Sequence, residues 1–190
     1  MSKLFTSILV VQQVERGAIR LEEPVASYLP PFAAQGKGAI TVRRTTAWFG
    51  GSKDATTATL TTQPLAVPAK ASVGFDVFVD TESSDPLTLE SSTDGGTTWK
   101  AVPFTVRDDS SVTQVDGAIA QSGTRRWLQA KADLPPGAQQ LRWRYTTDAT
   151  GLGRGAYVDG VKVAGQGGVV LDGERHPEAF TAQGWTQASR

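Results

Sequence analysis

The chain has no cysteine, a single histidine and a single methionine among its 190 residues. Without cysteine there is no disulfide, no thiolate nucleophile and no cysteine-type zinc site. Secretion is not excluded by this, because exported domains can fold without disulfides. His176 is the sole histidine, and no Glu-containing zinc motif surrounds it, so transition-metal catalysis has almost no ligands to draw on. It precedes Pro177 in a polar stretch and reads as an exposed loop histidine. Net charge is missing as well: nineteen Lys and Arg offset nineteen Asp and Glu. No long-range field therefore draws in nucleic acid or an anionic lipid surface. No segment reaches the roughly 18–20 apolar residues that a bilayer span needs. Leu4–Val11 is apolar and follows Lys3, but it runs into Gln12-Gln13-Val14-Glu15-Arg16 with no small-residue cleavage site, so no signal peptide is expected.

What the chain does have is turn chemistry. Twenty glycines, ten prolines and many threonines favour turns and strands over helical bundles. With 39% apolar and 20% charged residues, the composition suits a soluble globular protein of one ordinary domain plus an extension.

Two halves of unequal size differ in pattern. Leu4, Ile8, Val11 and Val14 fall at helical spacing, predicting a helix over 3–16 that Gly17 would end. Pro30-Pro31 and Gly36-Lys37-Gly38 break any longer element, and Ile40 and Val42 offer one short strand. The character changes near Arg43–Thr46. Beyond it, Val73, Phe75, Val77 and Val79 alternate with polar or small partners over Ser72–Asp80, as in a half-buried strand. Leu87 and Leu89 open another strand that ends at Ser91-Ser92. Asp94-Gly95-Gly96 then supplies a tight hairpin, with Trp99, Val102 and Phe104 on the return. Leu141, Trp143 and Tyr145 share one face while Arg142 and Arg144 share the other. Tyr157–Val163 and Val169–Leu171 add two more strands. The expected architecture is mainly β: an antiparallel two-layer β-sandwich, jelly-roll-like, with a short N-terminal α-helical extension. The expected boundary separates residues 1–44 from residues 45–190.

Both parts resemble known families. Lys3-Leu4-Phe5-Thr6-Ser7, Val14-Glu15-Arg16-Gly17, Glu23-Pro24-Val25, Tyr28-Leu29-Pro30 and Ile40-Thr41-Val42-Arg43 resemble the class C serine β-lactamase and DD-peptidase-like family. The resemblance implies that Lys3 corresponds to the lysine of the Ser-x-x-Lys motif, which would place the serine ahead of Met1. The family's Tyr-x-Asn and Lys-Thr-Gly elements have no counterpart, so an inactive fragment is expected. Residues 47–190 resemble the MAM-like β-sandwich accessory domain of immune inhibitor A-type secreted metallopeptidases. The residues that carry this are Ala47-Trp48-Phe49-Gly50-Gly51, Ser92-Thr93-Asp94-Gly95-Gly96-Thr97-Thr98-Trp99, Arg144-Tyr145-Thr146-Thr147-Asp148, Gly153-Arg154-Gly155-Ala156-Tyr157-Val158-Asp159 and Gly184-Trp185-Thr186. In that family the chemistry belongs to a separate zinc domain, so the resemblance implies an extracellular, non-catalytic attachment. Two unrelated family texts meeting within a few residues read as a fusion, a truncated gene or an artificial sequence.

Three candidate sites follow. Asp76, Asp80, Glu82, Asp85, Asp148 and Asp159 lie at strand ends or in loops, where oxygen ligands can gather around calcium. Relatives with this sandwich often hold a structural calcium near such acids. The set expected to converge is Asp80, Glu82, Asp148 and Asp159, and the plainer alternative is solvated loop acids. Ser92-x-Asp94-x-Gly96-x-x-Trp99 fits an Asp-box and reads as a structural hairpin device. The five tryptophans invite sugar stacking. Trp99, Trp127, Trp143 and Trp185 read as sandwich core, and Trp48 beside Gly50-Gly51 as the best exposed candidate.

The leading expectation is thus a non-enzymatic accessory or binding module, calcium-stabilised, with a protein or carbohydrate ligand. An inactive serine hydrolase remnant and a carbohydrate-binding module are the alternatives. The apolar stripe of the 3–16 helix is left to pack on the sandwich, self-associate or stay mobile.

Overall fold

The computed structural model describes residues 46–189, apart from 124, 125 and 136, together with Arg16 and Ala18. The expected helix over 3–16 and the strand at Ile40 and Val42 lie outside the described residues. The chain divides into two units, Met1–Thr45 and Thr46–Arg190, and the second is described here by itself.

Its strands, in chain order, are β1 (Thr46–Phe49), β2 (Thr57–Thr62), β3 (Ser72–Asp80), β4 (Leu87–Ser92), β5 (Lys100–Ala101), β6 (Phe104–Arg107) and β7 (Val112–Val115). They continue as β8 (Ala118–Ile119), β9 (Leu128–Asp133), β10 (Gln140–Thr146), β11 (Gly155–Gly165), β12 (Gly168–Asp172), β13 (Phe180–Gln183) and β14 (Thr186–Ser189). A single 3₁₀ turn, Pro177–Ala179, is the one helical element among the described residues. No helix among them is long and apolar enough to cross a membrane.

The strands form two antiparallel sheets. One runs β14-β1-β11-β3-β9-β6-β7 with β12 added on β11; the other runs β13-β2-β10-β4-β5 with β8 added on β4. The central strands β3 and β10 alternate as their sequences predict. In β3, Val73, Phe75, Val77 and Val79 point into the core, and in β10 so do Leu141, Trp143 and Tyr145. The Phe75 ring meets Trp143 edge-on at 5.4 Å, joining a strand of each sheet across the interior. Phe104 closes on Phe75 at 5.7 Å and Phe180 on Trp143 at 6.4 Å. A buried period-2 face on both sheets, with aromatics bridging them, is what fixes a sandwich.

One predicted strand divides. The return from the Asp94–Gly96 turn pairs with β4 only through Lys100 and Ala101. The chain then leaves this sheet, and Phe104 opens β6 in the other one. Pro103, which has no N–H to give a ladder, sits at the crossing. Val102 still donates its N–H to the Leu89 carbonyl at 2.9 Å, so the crossing leaves no buried donor open.

Candidate metal centre

The C-terminal end of β3 and the C-terminal end of β10 lie at one corner of the sandwich. After β3, Glu82 to Asp85 form a tight turn closed by the Asp85 N–H on the Glu82 carbonyl at 3.1 Å. After β10, the Asp148 N–H donates to Asp85 Oδ1 at 2.7 Å, fastening the two chain segments together. The Asp148 side chain in turn accepts the Thr150 N–H at 2.9 Å. Thr147 anchors the same segment from below, its hydroxyl donating to the Lys53 carbonyl at 2.7 Å.

These connections bring Glu82, Asp85 and Asp148 into one cluster whose carboxylate oxygens lie within 4.8 Å of one another. Asp85 is fully buried, Glu82 is half-buried and Asp148 is exposed. No lysine or arginine among the described residues forms an ion pair with any of the three. Asp85 Oδ2 is buried and has no hydrogen-bond partner. A buried carboxylate oxygen without a donor is a costly arrangement, normally relieved by a hydrogen bond, a counter-charge or a metal.

The opposite wall is built from glycine. A Cβ on Gly151 would collide with both Glu82 carboxylate oxygens, and one on Gly153 would collide with the Asp80 carbonyl. Gly151 also has φ +81, a conformation that favours glycine. The 151–153 loop therefore lies directly against the 80–82 segment. Two further orphaned atoms, the Thr81 and Tyr145 hydroxyls, are buried as well. Tyr145 is held up to about 12, first by burial and then by the Asp85 charge, which places its ring in the field of the cluster. Three convergent carboxylates fit a hard, oxygen-seeking cation such as calcium, and they do not fit a transition metal that prefers nitrogen or sulfur.

Of the four acids expected to converge, the structure gathers Glu82 and Asp148 and adds Asp85. Asp80 is committed elsewhere: Arg154 Nε donates to its Oδ2 at 2.6 Å and the Gly123 N–H to its Oδ1 at 2.7 Å. The Arg154 hydrogen bond, against the opposing effect of burial, keeps the Asp80 carboxyl below its ordinary range. Asp159 sits within β11 in register with Asp76 on β3, rather than in the corner loops.

The Asp-box reading is realised in atomic detail. Ser92 Oγ donates to Asp94 Oδ1 at 2.7 Å and accepts the Gly96 N–H at 2.8 Å. Thr98 donates its N–H to Asp94 Oδ1 and its hydroxyl to Oδ2, at 2.9 and 2.6 Å. Gly96 adopts φ +90 and accepts the Trp99 indole N–H at 2.9 Å. Every oxygen of Asp94 is thus engaged in holding the turn, which is a structural use of the motif.

The tryptophans divide. Trp143 and Trp185 belong to the core. Trp99 and Trp127 do not: each is half-buried, Trp99 beneath the Arg142 guanidinium at 4.1 Å and Trp127 beside Phe78 and Tyr157. Strand-like spacing did not distinguish the inner face from the outer one for these two. Trp48 is half-buried and packs on the core with its ring 6.2 Å from Phe180. His176 is an exposed loop residue, 60% accessible and 3.0 Å from Glu178.

Residues 1–44 match a family model described as Beta-lactamase. That segment is similar to the β-lactamase family, and it is less than a quarter of the chain. No curated protein matches the chain.

Proposed function

We propose that the β-sandwich is a non-catalytic accessory module of the secreted-peptidase type, jelly-roll-like and MAM-like, stabilised by a calcium ion at Glu82, Asp85 and Asp148. The observation that carries this reading is the buried, partnerless Oδ2 of Asp85 within a cluster of uncompensated carboxylates. Calcium would supply the counter-charge, tying the β3–β4 turn to the loop after β10. A set of three carboxylates with one member exposed suits the roughly 10⁻⁴–10⁻³ M affinities of extracellular modules. The module's work is then to bind or position a protein or carbohydrate outside the cell, while any peptidase chemistry belongs to a different domain.

The test is a thermal melt in EDTA repeated in millimolar calcium and in millimolar magnesium. At those affinities millimolar calcium lies at about one to ten times its dissociation constant, and binding only to the folded state adds roughly 0.4–1.4 kcal/mol. Calcium should raise the midpoint, and magnesium, which resists dehydration and demands octahedral geometry, should raise it far less. Coincident midpoints in all three conditions would remove the metal from the proposal.

A second reading rests on the match over residues 1–44: the chain descends in part from a serine β-lactamase-like hydrolase and is inactive. A chromogenic β-lactam and an activated ester should both hydrolyse at the buffer rate.

A further inference from the structure

A trough of about 560 Å³ crosses the outer face of the larger sheet, on the side away from the core. Its floor and walls come from outward-facing positions of β3, β6, β9 and β11. Register places Gly74 of β3 directly between Lys131 of β9 and Lys162 of β11. With strands about 4.8 Å apart, the two lysine backbones stand roughly 10 Å from each other across a floor with no side chain. The next row brings Asp76 opposite Gln129, with Arg107 beyond it on β6.

Gly74 has no folding reason to be glycine. Its φ lies outside the left-handed region, and a Cβ there would make only an ordinary contact, 3.9 Å from the Ala130 carbonyl. Glycine inside a central strand costs stability and gives up side-chain packing. What the glycine provides is an open floor on which a ligand can lie close to the backbone.

Two of the three cations around that floor have no counter-charge among the described residues. Among the described residues, Arg107 and Lys131 form no ion pair, and Lys162 reaches Asp172 only at 3.8 Å with its side chain 53% exposed. Three cations thus border a cavity of ligand size. The neighbouring row adds Gln129, which both donates and accepts. A nucleic acid would find no aromatic face for its bases, because the one ring at the floor, Phe75, is turned into the core at 3% exposure. A sugar acid answers both rows, with its carboxylate or sulfate between the lysines and its hydroxyls exchanging hydrogen bonds with Gln129.

We propose that this trough binds an acidic glycan, a polysaccharide chain bearing carboxylate or sulfate groups. The site goes beyond the calcium-stabilised module proposed above and uses none of the residues of the acidic cluster.

The test uses the full chain, titrated calorimetrically at low salt with oligogalacturonate and with a heparin oligosaccharide, and with neutral dextran as the control. At least one acidic glycan should bind, dextran should not, and binding should weaken as salt rises. Lys131→Gln/Lys162→Gln should weaken binding by about tenfold or more. Gly74→Val should abolish it while leaving the melting midpoint unchanged or higher, since valine suits a strand interior. Lys53→Gln/Lys70→Gln, which removes the same charge elsewhere, should bind as the parent does. The proposal is overturned if neither acidic glycan binds, if dextran binds equally, or if the control pair loses as much affinity as the trough pair. Retained binding in Gly74→Val overturns it too, as does tighter binding to phosphatidylglycerol vesicles than to either glycan.

Discussion

Replacing Asp85 by asparagine separates a cation site from an ordinary acidic corner, because both gain stability in EDTA but only a cation site loses a calcium response. The side-chain carbonyl of the asparagine would still accept the Asp148 N–H, which Asp85 Oδ1 now accepts at 2.7 Å. Its amide nitrogen would take the place of the orphaned Oδ2 and donate toward the neighbouring carboxylates. One negative charge leaves, and with it two of the three mutual repulsions in the cluster. At the 4.8 Å that bounds their separation, two unit charges in an effective dielectric of about 20 repel by roughly 3.5 kcal/mol. Solvent screening at the exposed Asp148 removes much of that, leaving a gain of about 1–3 kcal/mol in EDTA. A unit of this size shifts by roughly 4 °C per kcal/mol, so the apo midpoint should rise by about 4–12 °C. The parent should gain about 2–6 °C from millimolar calcium, and Asp85→Asn should gain almost nothing. Differential scanning calorimetry of both proteins, with EDTA and with calcium, reads all four midpoints. A variant that is less stable than the parent in EDTA, or that keeps the calcium shift, would refute the reasoning.

Further outcomes follow from neighbouring features. Gly151→Ala drives a methyl group into the Glu82 carboxylate at a left-handed backbone position; it should cost about 1–3 kcal/mol and erase the calcium response, both seen in the same melts. Trp143→Ala empties the centre of the core, where the indole is fully buried, and should cost about 3–5 kcal/mol by denaturant unfolding. Trp143→Phe should cost far less, since it also deletes an orphaned indole N–H. Glu90 is buried between Arg142 and Arg144 at 2.6 and 2.9 Å, so Glu90→Ala leaves two adjacent guanidinium groups uncompensated and should destabilise by about 2 kcal/mol. Asp94 is held at about 2 chiefly by the Thr98 hydroxyl, with the Thr98 N–H and Ser92 adding to it. A depressed carboxylate stabilises the fold above the ordinary aspartate pKa and loses that contribution as pH falls from about 4 to about 2. Melts across this range should show the loss, and Asp94→Asn should flatten Asp94's share of it.

The sequence exposed what depends on period and concealed what depends on register. In β10, Leu141, Trp143 and Tyr145 alternate with Arg142 and Arg144, and that pattern alone sets which side faces the core. It does not say that Arg142 and Arg144 both close on Glu90, because Glu90 lies 52 residues upstream of Arg142 and 54 upstream of Arg144. The same distinction governs the acidic cluster. Six acids were visible at strand ends or in loops, but the ones that converge are decided by which chain ends the two sheets bring to one corner. Asp80 looked like a ligand until pairing set it beside Arg154, 74 residues away. Asp85 stood among the six acids but outside the four expected to converge; the Asp148 N–H, 63 residues away, meets it in the interior. Burial is the property that turns a carboxylate from a surface charge into a demand for a partner, and it is made by tertiary contact. Gly74 shows the reverse case. Its type was legible, but its meaning was not, until register set a lysine on either side of it. The two proposed sites rest on residues where local pattern and tertiary placement disagree: a buried acid with one oxygen left without a donor, and a strand glycine without a turn. The calcium melt and the glycan titration each probe one of those disagreements, so either experiment can fail without deciding the other.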